Sequence, residues 1–150
     1  MQKVTSWRKL HQRRLIKTKI VRSIMKIKQT QVPDLVFDAC PSYKKAWPNI
    51  NLGNLRGKRH SVPILAGLAK HVARLWKDQR FEEFPSIFNL IETLHVEGTE
   101  KVIDDVVYFF TETLYIELEN RGINPRFMDR WLGPESSYWL NVIKKILGWN

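Results

Sequence analysis

Cysteine is nearly absent from this chain of 150 residues: Cys40 stands alone, so no intramolecular disulfide can form. A single thiol cannot close a cysteine-based metal site either. One unpaired thiol suits a reducing compartment, so the cytoplasm is the expected location and Cys40 the expected small buried apolar residue. No stretch nears the roughly 20 apolar residues of a membrane-spanning helix. The early bases are not followed by the apolar run of about 7–15 residues that a secretory signal needs. The seven glycines are scattered, without a phosphate-cradling loop or a GxSxG elbow.

Acidic residues are missing from the first 33 positions, where ten bases fall: Lys3, Arg8, Lys9, Arg13, Arg14, Lys17, Lys19, Arg22, Lys26 and Lys28. Removing those ten from a total of 25 bases leaves 15 against 15 acids, so the net charge of +10 belongs to one arm. Residues 1–31 read as a basic N-terminal extension, with three readings open. They suit an amphipathic helix for nucleic acid or an anionic membrane surface, a disordered tail, or sequence upstream of a natural start at Met25.

What is present is helical punctuation. Pro33 suits the start of a short helix with Leu35, Val36 and Ala39 on one face, and Ser42 can cap a turn to Trp47. Residues 48–61, rich in Asn, Gly and bases, read as a loop. Ser61 is an N-cap for a helix carrying Ile64, Leu65, Leu68, Val72, Leu75 and Trp76, and a second helix from Pro85 carries Ile87, Phe88, Ile91 and Leu94. Thr99 caps a long helix that ends at Gly122. Its wide apolar set (Val102, Ile103, Val106, Val107, Phe109, Phe110, Leu114, Ile116, Leu118) predicts a central helix packed on more than one side. Asn124-Pro125 opens a short helix to Trp131, Gly133-Pro134 breaks it, and a last helix runs to Leu147 with Trp139, Val142, Ile143 and Ile146 inward. The expected fold is all-α: residues 32–150 form one antiparallel array of about five to seven helices around the long one at about 99–121.

The chemistry-bearing residues assemble no complete enzyme site. Glu92 and His95 form one Glu-x-x-His step, but a di-iron bundle needs a second, so both are expected to face solvent. Asp104, Asp105 and Glu112, with the step Glu97–Glu100, give only part of the carboxylate set of a metal-dependent helical nucleotide hydrolase. Ser136 and Ser137 sit in a first helical turn with no activating base nearby in sequence. No cofactor is expected. Tyr108, Glu112, Tyr115 and Glu119 form a polar and aromatic strip on the long helix, and Arg56, Lys58 and Arg59 concentrate charge in the main loop. Half-exposed tyrosines beside carboxylates are interface-like, so these seven residues are the candidate partner-binding set.

Several segments are familiar together: Val32-Pro33-Asp34-Leu35 with Trp47, Leu68-Ala69-Lys70-His71-Val72, Ile91-Glu92-Thr93-Leu94 before Glu97-Gly98, and Trp131-Leu132-Gly133-Pro134-Glu135-Ser136 before Trp139. Over residues 32–149 or so the chain resembles a family of small, uncharacterised, mostly helical bacterial proteins with that carboxy-terminal signature. The resemblance implies a helical fold and an accessory role near toxin-immunity genes, and it implies no activity. The expected function is a non-enzymatic protein-binding module, such as an immunity protein that blocks a toxin domain. The alternatives are nucleic-acid association through the basic arm and the metal-dependent hydrolase.

Overall fold

The computed structural model describes residues 26–47 and 61–149. Helix α1 (Val32–Ala39) begins with Pro33 in its first turn, and α2 (Pro41–Lys45) follows at once. Helix α3 is Ser61–Lys77 and α4 is Phe84–Glu97. The long helix α5 comprises Glu100–Asp105, a π-helical turn Val106–Thr111, and Glu112–Asn120. A 3-10 helix (Pro125–Arg130) leads to α6 (Pro134–Leu147). The fold is all-α and forms one domain, as the sequence predicts.

The predicted stops are physical ones. The Thr99 hydroxyl accepts the Val102 backbone N–H at 3.3 Å, and the Asn124 side chain accepts that of Arg126 at 3.0 Å. Gly122 and Gly148 take φ of 71°, the left-handed conformation that ends helices at least cost. Ser61 differs from expectation: it is the first residue of α3, and its buried hydroxyl donates to Asp105 at 2.7 Å.

Ile27 and Gln29, which the sequence reading places in the basic N-terminal extension, contact the helical domain. The Ile27 N–H donates to the Glu97 carbonyl at 2.8 Å, and the Ile27 carbonyl accepts from Thr99 N–H at 2.9 Å. Gln29 reaches the Asp105 carboxylate at 2.6 Å. A segment docked by two backbone bonds leaves no apolar periodicity to read, which is why the sequence places it with the basic arm. Residues 1–25, to which the other readings of that arm refer, lie outside the described residues.

Helix α5 is central and packs on two sides. Val102, Val106, Phe110, Leu114 and Leu118 join the main core with α1, α3 and α4, while Ile103 and Val107 meet Trp139 and Ile143 of α6. The first stripe repeats every four residues throughout. In a regular α-helix each such step drifts about 40° around the axis, so five positions could not share one face. The π-helical turn absorbs the drift, because its wider ring holds an extra residue. Phe109 and Ile116 are exposed, so these two leave the apolar set predicted to face the core.

Candidate functional site

The π turn and the end of α6 share an outer surface that is apolar. Tyr108 is 44 % exposed, Phe109 36 %, Ile146 37 % and Leu147 46 %. A shallow depression of about 30 Å³ lies among Val107, Tyr108, Glu112, Ile143, Ile146 and Leu147. Large side chains left in water together are costly, and such patches mark binding surfaces in folded proteins. The sequence reading places Trp139, Val142, Ile143 and Ile146 inward; Trp139 and Ile143 are buried and Val142 partly so, but Ile146 is exposed.

Of the seven predicted partner-binding residues, Tyr108 and Glu112 meet at this depression, and Glu119 is exposed further along α5. Tyr115 is corrected: it is 7 % exposed, with its ring stacked 4.1 Å from that of Trp149 at an interplanar angle of 9°. Burial, reinforced by the Glu119 charge, raises its phenol pKa. Gly148 redirects the chain so that Trp149 folds back over α5, and a one-dimensional pattern cannot foresee that return. Arg56, Lys58 and Arg59 lie outside the described residues.

The Glu92–His95 step does not face solvent as expected. The Glu92 carboxylate accepts three hydrogen bonds at 2.9 Å, from the backbone N–H groups of Glu135 and Ser136 and from the Ser136 hydroxyl. It thereby caps α6 from another helix, where orphan N–H groups and the helix dipole both favour an anion. Gly133 is required by this contact, since a Cβ there would come within 2.5 Å of the carboxylate carbon. His95 is 4 % exposed, lies 6.4 Å from the Trp139 ring in a stacked arrangement, and has no hydrogen-bond partner at either nitrogen. Burial lowers its pKa to about 3, so the ring is neutral.

A second polar cluster was not foreseen. The Ser42 hydroxyl and His71 Nε2 are 2.8 Å apart, the Cys40 thiol is 3.6 Å from that hydroxyl, and the Ser42 N–H donates to Glu83 at 3.2 Å. Burial pushes the Cys40 thiol up to about 11, which keeps it protonated. Burial also lowers the pKa of His71, with Arg74 adding to the effect. For Glu83 burial acts upward, but hydrogen bonds from Ser42 and the Cys40 thiol prevail and hold the carboxyl below its usual range. Glu83, in the turn just before α4, thus serves α2 as Glu92 serves α6, as an anion from another element at a first-turn backbone donor. The signal was present in the short Pro41-Ser42 turn, but only the fold brings residues 42, 71 and 83 together.

The carboxylates considered for a metal site are dispersed. Asp105 is buried and bound to Ser61 and Gln29. Among the described residues no group of three or more His, Cys, Asp or Glu side chains could hold a metal ion. None of the described helices is long and apolar enough to cross a membrane.

No curated protein and no solved structure matches the chain. A family model matches residues 33–148, a span that takes in the described helices from Pro33 to the end of α6. Over that span the chain belongs to the family of the domain of unknown function DUF7674.

Proposed function

We propose that this protein is a non-enzymatic, cytoplasmic protein-binding module, of the kind that serves as a bacterial immunity protein by blocking a toxin domain. One observation carries the reading: Tyr108, Ile146 and Leu147 hold adjoining apolar surface in water on two helices packed against each other. Aromatic anchors on a preorganised surface supply contact area at low entropic cost, and burying them against a partner slows its release. Glu112, at the edge of the depression, adds a charge that can orient the encounter. The π-helical turn supports the same surface, since such turns recur where a helix must present side chains out of register. The test is a binding assay between the purified protein and the product of the adjacent gene, with Tyr108→Ala and Leu147→Asp as variants. Binding that weakens in both variants while the helical content stays intact supports the reading. Absence of binding to the neighbouring product refutes the immunity role, and binding indifferent to both variants refutes this surface.

A further inference from the structure

A separate concavity lies at the other end of the molecule, where α3 and α5 terminate. It encloses about 590 Å³, within the ~300–1,000 Å³ range of small-molecule sites. Its walls are aromatic: Trp76, Phe81, Phe127 and Trp131. Phe81 stacks on Trp131 with centroids 6.1 Å apart and an angle of 21°, and Trp76 meets Phe81 edge-on at 6.2 Å. Of these, Phe127 is 54 % exposed, more than any other large hydrophobic side chain described. The Asn124 cap fixes the 3-10 helix that carries it, so this exposed ring rests on an ordered support.

The charged groups of the cleft have one sign. Lys77 and Arg130 line it, and no carboxylate does among the described residues. The Lys77 ammonium donates one hydrogen bond, to the Arg121 carbonyl at 3.4 Å, and retains further donors. Backbone geometry adds a third feature. Gln79 takes φ of 56° and is the one non-glycine in the left-handed region among the described residues. It follows α3 in a helix-ending turn closed by a 2.8 Å bond from Arg80 N–H to the Leu75 carbonyl, where glycine fits at lower cost. The side chain present at that strained position lines the cleft.

We infer that this cleft binds a small planar aromatic anion, its ring held between Phe127 and the Trp76–Phe81–Trp131 wall and its acid group paired with Lys77 and Arg130. Aromatic walls select flat apolar bodies by offset or edge contacts, and two cations beside them select a carboxylate, sulfonate or phosphate over a neutral ring. The inference is independent of the protein-binding surface, which shares no residue with the cleft.

The test is a fluorescence titration of the full chain with anilinonaphthalene sulfonate, run in parallel with phenylnaphthylamine, the same ring system without the anion. The expected result is one saturable site for the sulfonate and weaker binding of the neutral probe. Phe127→Ala weakens the sulfonate at least about tenfold. The pair Lys77→Glu and Arg130→Glu abolishes sulfonate binding and leaves that of phenylnaphthylamine unchanged. Tyr108→Ala changes neither. The four altered side chains are exposed, so circular dichroism should report an unaltered fold. Lack of a saturable site overturns the inference, as does equal affinity for the two probes. Sulfonate binding that follows Tyr108 and ignores Phe127 overturns it as well.

Discussion

The first turn of α6 presents two backbone N–H groups and the Ser136 hydroxyl to Glu92, and Trp139 follows at 2 % exposure. Its last turn leaves Ile146 and Leu147 in water beside Tyr108. One helix is therefore anchored at its start and apolar to solvent at its end. At the start the interactions close on one another, so substitution should be felt as instability. At the end apolar area lies open to solvent, so substitution should be felt in binding. A surface can hold aromatics in water only when the helix beneath is fixed elsewhere, and the Glu92 cap supplies that fixture.

The comparison breaks most severely if Trp139 proves dispensable. Trp139→Ala is expected to destabilise the domain by about 3–5 kcal/mol in chemical denaturation, as for large aromatics removed from a core. A near-native midpoint would place the anchored end of α6 elsewhere. Next comes the cap: Glu92→Ala strands two backbone donors and one hydroxyl and should cost about 2 kcal/mol. Gly133→Ala should show a comparable loss by displacing the same carboxylate, and the double variant should fall short of the sum.

His95 sharpens the contrast within the anchored end. Burial holds its pKa near about 3, below the ordinary 6.5, so the unfolded chain protonates first as pH falls. Stability from this residue is complete above pH 6.5 and declines as pH drops towards 3, by at most ~1.4 kcal/mol per pH unit. His95→Leu, which removes two unpartnered buried nitrogens, should flatten that decline and leave neutral-pH stability equal or higher. An unchanged acid profile would show that His95 is not the group responsible. The smallest stability effect belongs to the outer end, where Tyr108→Ala should stay within about 0.5 kcal/mol of the parent.

Much of the fold was legible because its signals are local. Pro33, Pro85, Thr99, Gly122, Asn124 and Gly133-Pro134 mark helix ends through capping and φ preference, which act within a few residues. The π turn was legible in principle: five apolar positions at strict spacings of four, from Val102 to Leu118, cannot lie on one regular α-helical stripe. What was not legible depends on tertiary return. Glu92 reads as a solvent-facing acid until α6 arrives from 43 residues away, and Ser42 meets His71 and Glu83 only through the packing of three elements. Tyr115 fits an exposed strip by spacing and is buried because Trp149 comes back over it. Within the candidate surface, Tyr108 and Glu112 were visible on the sequence, whereas Ile146 and Leu147 were not, since helical periodicity gives no warning that α6 outruns its support.

The most direct test of the account is calorimetric titration of the adjacent gene's product with the parent protein and with Tyr108→Ala, alongside the thermal midpoint of each. The account predicts weaker binding by at least about 2 kcal/mol with the midpoint unmoved. Equal affinities for the two proteins, or a loss of affinity that appears only together with a lowered midpoint, would contradict it.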